Sequence, residues 1–156
     1  MPSTDTLIHD AIDLVQALNR SVAGVRTAPP LASYPTVIET AMLPCLITWP
    51  TQGRWYVKGG HERQMLRTFQ VIGYTEVLGQ NAIPSRAVQA IDLLQLLINA
   101  YTSTANIPLY NPPPYQLTIE SSSDTQHSDG GLQSDLMFGG RAFHGFMIDV
   151  NVRAVW

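Results

Sequence analysis

Apolar and polar side chains alternate near the end of the chain. From Phe146 to Ala154 every second residue is apolar, and Asp149, Asn151 and Arg153 are among the residues between them. Successive side chains of a strand point to opposite faces of a sheet, so this period predicts a strand with one buried and one solvated face. Such a strand needs partner strands beside it and a covering layer over its apolar face.

Two segments with helical periodicity can supply that covering layer. In the first, from about Asp5 to Ala23, apolar residues recur every three or four positions, which is the pattern of an amphipathic helix. The second runs from about Ser85 to Tyr101, and its polar residues form one narrow stripe: Gln89, Asp92, Gln95 and Asn99. A helix that is apolar around most of its circumference is buried on several sides. Part of its cover can therefore come from another subunit.

Four further segments are predicted to be strands, with glycine and proline marking the breaks between them. They are Cys45 to Trp49, Arg54 to Lys58 after a turn at Thr51 to Gly53, Gln64 to Val77 after Gly59-Gly60, and Tyr115 to Ser121. The sequence therefore predicts a single α+β domain over residues 1–156. In it, two main helices pack on an antiparallel (mixed) sheet of about five strands.

A long polar segment, residues 122–140, comes before the C-terminal strand. Structureless loops longer than about 12–15 residues are uncommon in compact domains and are often functional. Gly130-Gly131 and Gly139-Gly140 bracket the more apolar stretch 132–138. We interpret the segment as a loop in which this stretch moves as a flap and becomes ordered on a partner.

Charged residues are scarce in this sequence. Lys and Arg number 9 and Asp and Glu 12, together 13% of the chain, against about 25% in typical globular proteins. No charge occurs between Leu93 and Ile119. Because a soluble monomer needs a charged surface, we expect much of the exterior to lie against other protein subunits.

Two other kinds of partner fit the sequence poorly. The apolar runs are far shorter than the roughly 20 residues of a membrane-spanning helix. A net charge of -3 provides no general basic surface for sequence-specific nucleic-acid binding. The first residues lack the basic region and apolar stretch of a secretory signal, so we expect synthesis in a cytoplasm.

Residues capable of catalysis or metal binding lack the spacing that such sites need. The single cysteine, Cys45, excludes an internal disulfide and a cysteine-rich metal site, and its apolar neighbours indicate a buried thiol. The four histidines show no metal-ligand spacing. A polar tract around His127 contains Ser, His and Asp, but a triad needs rigid positioning and no G-x-S-x-G motif occurs. We expect no enzyme activity, cofactor or metal; an enzyme using the His127 loop is the alternative.

Four landmarks follow one another in a recognisable order. Tyr34-Pro35 precedes the first strand, Phe69 to Val77 is the long strand, Ser85 to Tyr101 is the helix after it, and Phe146 to Trp156 is the closing strand. In this order, nearly the whole chain resembles the tail-terminator proteins of long-tailed bacteriophages, the lambda type. Those are small α+β proteins that form a hexameric ring on the end of the tail tube. The proline-rich segment and the loop at 122–140 are long for the compact members.

The resemblance implies a virion structural protein and not an enzyme. Copies of the chain would form a homo-hexameric ring that caps the tail tube, stops its polymerisation and joins it to the head-side connector. The implied partners are the chain itself, the tail tube protein and a head-tail connector or neck protein, and DNA can pass through the lumen. The protein would be made in the host cytoplasm and reside at the head-proximal end of the virion tail.

Two other functions stay open at this point. The chain could be another neck, tail-completion or minor tail protein, or a module that binds a small ligand or peptide through Trp49, Trp55 and Tyr56. For a protein interface we expect the following residues: Trp55, Arg63, Arg67, Leu132, Asp135, Leu136, Met137, Phe138 and Arg141.

Overall fold

The computed structural model describes residues 4–60, 62–79, 84–110, 116–120 and 128–156. In chain order the elements are helix α1 (Thr4–Ser21), strands β1 (Cys45–Lys58) and β2 (Glu62–Val77), helix α2 (Pro84–Thr104), and strands β3 (Pro108–Tyr110), β4 (Gln116–Ile119), β5 (Ser128–Phe138) and β6 (Arg141–Val155). Two short 3-10 helices, Leu31–Ser33 and Thr40–Met42, lie between α1 and β1. The predicted α+β class, with two main helices and an antiparallel sheet, is confirmed.

Strand β6 organises the sheet. The strand order is β1-β2-β6-β4-β3, and β5 also pairs with β6. One edge of β6 pairs with β2 from Phe143 to Val155. Residues 141–149 also pair with β5, and residues 152–155 also pair with β4. Because these pairs are antiparallel, the β1–β2 turn and the β5–β6 turn lie at opposite ends of the sheet.

The alternating residues of β6 lie in the main hydrophobic core. Phe146, Ile148, Val150, Val152 and Ala154 are all buried, which confirms the predicted period. Both helices contribute to the same core, through Leu7, Ala11, Ile12 and Val15 of α1 and Leu93, Leu97 and Tyr101 of α2. Burying a large apolar side chain is worth about 1.5–3 kcal/mol, so this face holds the two helices on the sheet.

The opposite face of the sheet carries a second, smaller core. It contains Ile38, Cys45, Ile47, Tyr74, Leu136 and Phe143. The segment between the two helical turns supplies Ile38 as part of its cover, and the thiol of Cys45 is buried as predicted. Farther along this face the side chains are polar and paired. Thr68 Oγ1 lies 2.7 Å from Asn151 Oδ1, and Arg153 forms an ion pair of 2.6 Å with Glu120.

The turn predicted at Thr51 to Gly53 is instead part of a continuous strand. Strand β1 runs from Cys45 to Lys58, and its register against β2 shifts between Pro50 and Gly53. Pro50 cannot donate a ladder hydrogen bond, which an edge strand tolerates, and a bulge accommodates the extra residue. The chain reverses at Gly59-Gly60, where both residues have positive φ. The result is one long hairpin rather than two short strands.

Most of the loop predicted at 122–140 is also a strand. Residues Ser128–Phe138 form β5 and pair with β6, while residues 121–127 lie outside the described part of the chain. The pairing shifts register between Asp129 and Leu132 and again between Gln133 and Leu136. These shifts break the period of two that signals a strand in a sequence, which explains why the segment resembles a loop.

Candidate functional site

Within the described residues, no cluster of three or more His, Cys, Asp or Glu side chains could hold a metal ion. His127, the residue on which the enzyme alternative depends, lies outside the described residues. Among the helices that the structure describes, none is long and apolar enough to cross a membrane. The features that stand out are exposed apolar surfaces.

The first such surface lies at the end of the β1–β2 hairpin, on the sheet face that carries the helices. Trp55 pairs with Met65 and Val57 with Arg63, and Trp156 exchanges backbone hydrogen bonds of 3.0 and 2.8 Å with Arg63. Residues opposite each other in a ladder share a face. We call these five residues the hairpin surface. They adjoin a cavity of about 350 Å³ that Tyr56 and Gln64 also line.

Trp55 is the most exposed apolar residue of the hairpin surface. Trp55 is 73% exposed and Val57 is 55% exposed, whereas Met65 is buried beneath them. On the other face of the same strands, the Tyr56 hydroxyl lies 2.6 Å from Gln64 Oε1. At the hairpin end the Tyr56 hydroxyl therefore has a partner within the subunit, while the side chains of Trp55 and Val57 remain exposed.

The second surface is a groove beside helix α2 with a volume of about 410 Å³. We call it the α2 groove, and its lining residues come from four segments: Ala23, Gly24, Thr40, Leu43, Pro44, Thr75, Glu76, Val77, Gln89, Ala90, Asp92, Leu93 and Leu96. Helix α1 ends before Gly24, whose positive φ of 93° lets the chain turn away close to Leu93.

The α2 groove combines apolar and acidic side chains. Leu96 is 42% exposed, and Leu93 is buried. Asp92 supplies an exposed carboxylate, whereas Glu76 is buried and has a partner within the subunit. Met65 of the hairpin surface and Glu76 of the groove lie on the same strand, about 35 Å apart at the usual rise per residue. The two surfaces therefore lie near opposite ends of the molecule.

The structure separates the interface residues expected from the sequence into several places. Trp55 and Arg63 come together on the hairpin surface, whereas Arg67 lies in the middle of β2, with its Nε buried and without a hydrogen-bond partner among the described residues. On β5, three of the expected residues, Leu132, Asp135 and Met137, are exposed.

The other three expected residues pack against the smaller core. Leu136 is buried, and Phe138 is half-buried with its ring edge-on to Tyr74 at 5.5 Å. Arg141 donates to the Ile38 carbonyl at 3.4 Å and lies over the ring of Phe143. Leu136 is thus a core residue, and the exposed side of β5 is formed by its neighbours.

The α2 groove is absent from the sequence-based set. Its signal in the sequence is the broad apolar coverage of α2, which predicts cover on several sides without naming the groove. In the structure this helix leaves Val88, Ile91 and Leu96 exposed. The acidic residue Glu76 could not be associated with the helix, because they meet only through tertiary packing.

No family model matches the chain, and no curated protein matches it either.

Proposed function

We propose that this chain is a virion structural protein, a tail terminator whose copies form a hexameric ring on the end of a bacteriophage tail tube. The ring stops polymerisation of the tube and joins it to the head-side connector. Its activity is mechanical: it needs no cofactor, and its partners are copies of itself, the tube protein and a neck protein. DNA passes through the lumen without sequence-specific contacts.

One observation carries this proposal: two exposed surfaces of different composition lie near opposite ends of the subunit. The hairpin surface presents Trp55 and Val57, and the α2 groove presents Leu96 and Asp92. A subunit that uses two different surfaces makes head-to-tail contacts, which close into a ring when the rotation between subunits permits. The low share of charged residues, 13%, fits a chain whose exterior is largely covered by neighbours.

The exposed side of β5 provides a third surface for partners along the tail axis. It carries Leu132 and Met137, which are exposed, beside Asp135. A terminator needs such a surface in addition to its ring contacts because it touches the tube on one side and the connector on the other. Another neck, tail-completion or minor tail protein would need the same set of surfaces and is the nearest alternative assembly role.

A binding module for a small ligand or peptide is the second candidate. The cavity of about 350 Å³ at the hairpin end is lined by Trp55, Tyr56 and Trp156 among others, and small-molecule sites are commonly apolar clefts of about 300–1,000 Å³. This function requires a monomer whose aromatic cleft stays open.

Light-scattering mass measured across a concentration series, with negative-stain images of the same fractions, tests the proposal. A terminator is expected to give a species six times the subunit mass of 17.2 kDa, seen as rings. A monomer at every concentration would contradict self-assembly into a ring and favour the binding module.

A further inference from the structure

We propose that Tyr34 blocks the addition of a strand from a second copy of the chain to the free edge of β1. Strand β1 lies at one edge of the sheet, beside β2, and a long edge strand is a template for pairing with another chain. The side chain of Tyr34 occupies the place opposite Thr48 that a residue of the added strand would take. This inference goes beyond the proposed function and does not depend on it.

The hydroxyl of Tyr34 makes the two hydrogen bonds that a partner strand would make. It donates to the Thr48 carbonyl at 2.7 Å and accepts from the Thr48 N–H at 3.1 Å. In an antiparallel ladder, a residue exchanges the same two bonds with the residue opposite it. The ring of Tyr34 lies edge-on to Trp49, with 5.2 Å between the ring centroids. The side chain therefore also fills space beside the strand that a second backbone would need.

Three successive outward-facing positions in the first half of β1 are closed, each in a different way. The Leu46 N–H donates to the Thr27 carbonyl at 2.8 Å. Thr48 is bonded to Tyr34, and Pro50 has no N–H to offer a partner. Of these three, the block at Thr48 depends on one side chain, so a substitution of Tyr34 opens the edge there.

The second half of the same edge has no such block among the described residues. Gly53, Trp55 and Val57 stand opposite odd-numbered residues of β2, as Leu46 and Thr48 do. Their backbone groups therefore also point away from β2, and no described backbone group outside the ladder bonds to them. Pairing between subunits along β1 is therefore confined to the hairpin end.

The neighbouring residues hold Tyr34 in this position. The Leu31 N–H donates to Asp13 of α1 at 2.8 Å, and the Tyr34 N–H donates to the Leu31 carbonyl at 3.2 Å. A proline disfavours helical geometry at the residue before it, and Tyr34, which precedes Pro35, has φ −59° and ψ 129°. The hydroxyl is therefore positioned on Thr48 within the single subunit.

Two substitutions at position 34 separate blocking from stability. Tyr34→Phe removes both bonds to Thr48 but keeps the ring, whereas Tyr34→Ala also removes the ring. We expect Tyr34→Phe to keep the wild-type light-scattering mass at equal concentration, with hydrogen exchange at the Thr48 amide faster by about 2- to 10-fold. Tyr34→Ala should have at least about twice the wild-type mass, because the same edge of two copies pairs. In these larger species the Thr48 amide should be protected from exchange.

Aggregation through unfolding would give a different result. Tyr101→Phe removes a buried hydroxyl that bonds to Asn19, away from the β1 edge, so this control should keep the wild-type mass. Circular dichroism checks that each variant is folded, and Tyr34→Leu replaces Tyr34→Ala if the latter does not fold. Equal masses for Tyr34→Phe and the shortened variant, larger species with an unprotected Thr48 amide, or a larger mass for Tyr101→Phe would overturn the proposal.

Discussion

Thr48 of β1 and Gln16 of α1 are joined by a buried hydrogen bond, in which the threonine hydroxyl donates to Gln16 Oε1 at 2.8 Å. The amide of Gln16 also donates to the Leu46 carbonyl at 2.9 Å, and the amide of Asn19 donates to Gln16 Oε1 at 3.0 Å. The hydroxyl of Tyr101 on α2 completes the network by donating to Asn19 Oδ1. Buried polar groups of this kind are stabilising only when all are satisfied, so the network fixes both helices relative to the sheet.

Removing the hydroxyl of Tyr101 should lower the stability of the subunit. Tyr101→Phe keeps the ring and leaves the buried Asn19 Oδ1 without its donor, so we expect a loss of about 1–3 kcal/mol in the free energy of unfolding. Tyr56→Phe is the matched control. It removes the half-exposed hydroxyl near Gln64, so it should lower the free energy of unfolding by less. Urea unfolding followed by tryptophan fluorescence measures both. Equal stability of Tyr101→Phe and the wild-type protein would show that the network does not stabilise the fold.

Adjacent residues of β5 should respond differently to the same charge. Leu136→Glu places a carboxylate in the smaller core, whereas Met137→Glu places it on a side chain that is 62% exposed. Burial of an unpaired charge costs several kcal/mol, so Leu136→Glu should be unfolded or strongly destabilised. The free energy of unfolding of Met137→Glu should lie within about 0.5 kcal/mol of the wild-type value. Thermal unfolding of the two variants measures this difference, and a stable Leu136→Glu variant would contradict the placement of β5.

Met137→Glu also tests whether β5 serves a partner outside the ring. Since the proposed ring contact uses the hairpin and the α2 groove, this folded variant should form rings at the wild-type concentration. Its expected defect is in joining tail tubes, which negative-stain images of mixtures with the tube protein would measure. Normal joining would exclude Met137 from the tube contact.

The buried thiol of Cys45 should make stability depend on pH in the alkaline range. Burial raises the pKa of this thiol from its ordinary 9.0 to about 11. Below pH 9 the thiol is protonated in both the folded and the unfolded chain, so it does not make stability depend on pH. Between pH 9 and 11 the unfolded chain loses a proton that the folded chain keeps, so the free energy of unfolding should fall by about 2 kcal/mol from this group. Burial also raises the pKa of Tyr34 and Tyr74 to about 12, which extends the decline to higher pH.

Cys45→Ala isolates the contribution of the thiol. In urea unfolding at pH 8, 9, 10 and 11, the variant should lose less stability between pH 9 and 11 than the wild-type protein does, while the tyrosine contribution remains in both. Parallel curves for the two proteins over this range would rule out the thiol as a source of the pH dependence.

The sequence predicts those elements whose burial follows a regular period. Strand β6 is recognisable because its apolar residues alternate, and α1 because its apolar residues recur at helical spacing. Strand β5 is not recognisable, because its two register shifts and the positive φ of Asp135 interrupt the alternation. The continuity of β1 is hidden for a related reason: Pro50 resembles a strand end, but the bulge accommodates it.

The two candidate surfaces also differ in whether the sequence could predict them. Trp55 and Arg63 could be proposed from the sequence because they flank one turn and lie near each other in any hairpin. The α2 groove could not, since Gly24, Glu76 and Leu96 are distant in sequence and meet only when both helices pack beside the end of β2. The sequence pattern also could not predict which side chains of β5 are exposed. Leu136 is buried, whereas its neighbour Met137 is exposed.

Cysteine cross-linking between the hairpin surface and the α2 groove tests the proposed head-to-tail ring most directly. Val57→Cys places a thiol on the hairpin surface and Gln89→Cys places one on the rim of the α2 groove, while the native Cys45 is buried. In a protein carrying both substitutions, a short bismaleimide should produce a ladder on a denaturing gel that ends at six subunits, and each single variant should produce none. A ladder that stops at the dimer, the same ladder from a single variant, or no ladder at all would contradict a ring closed by the hairpin and the groove.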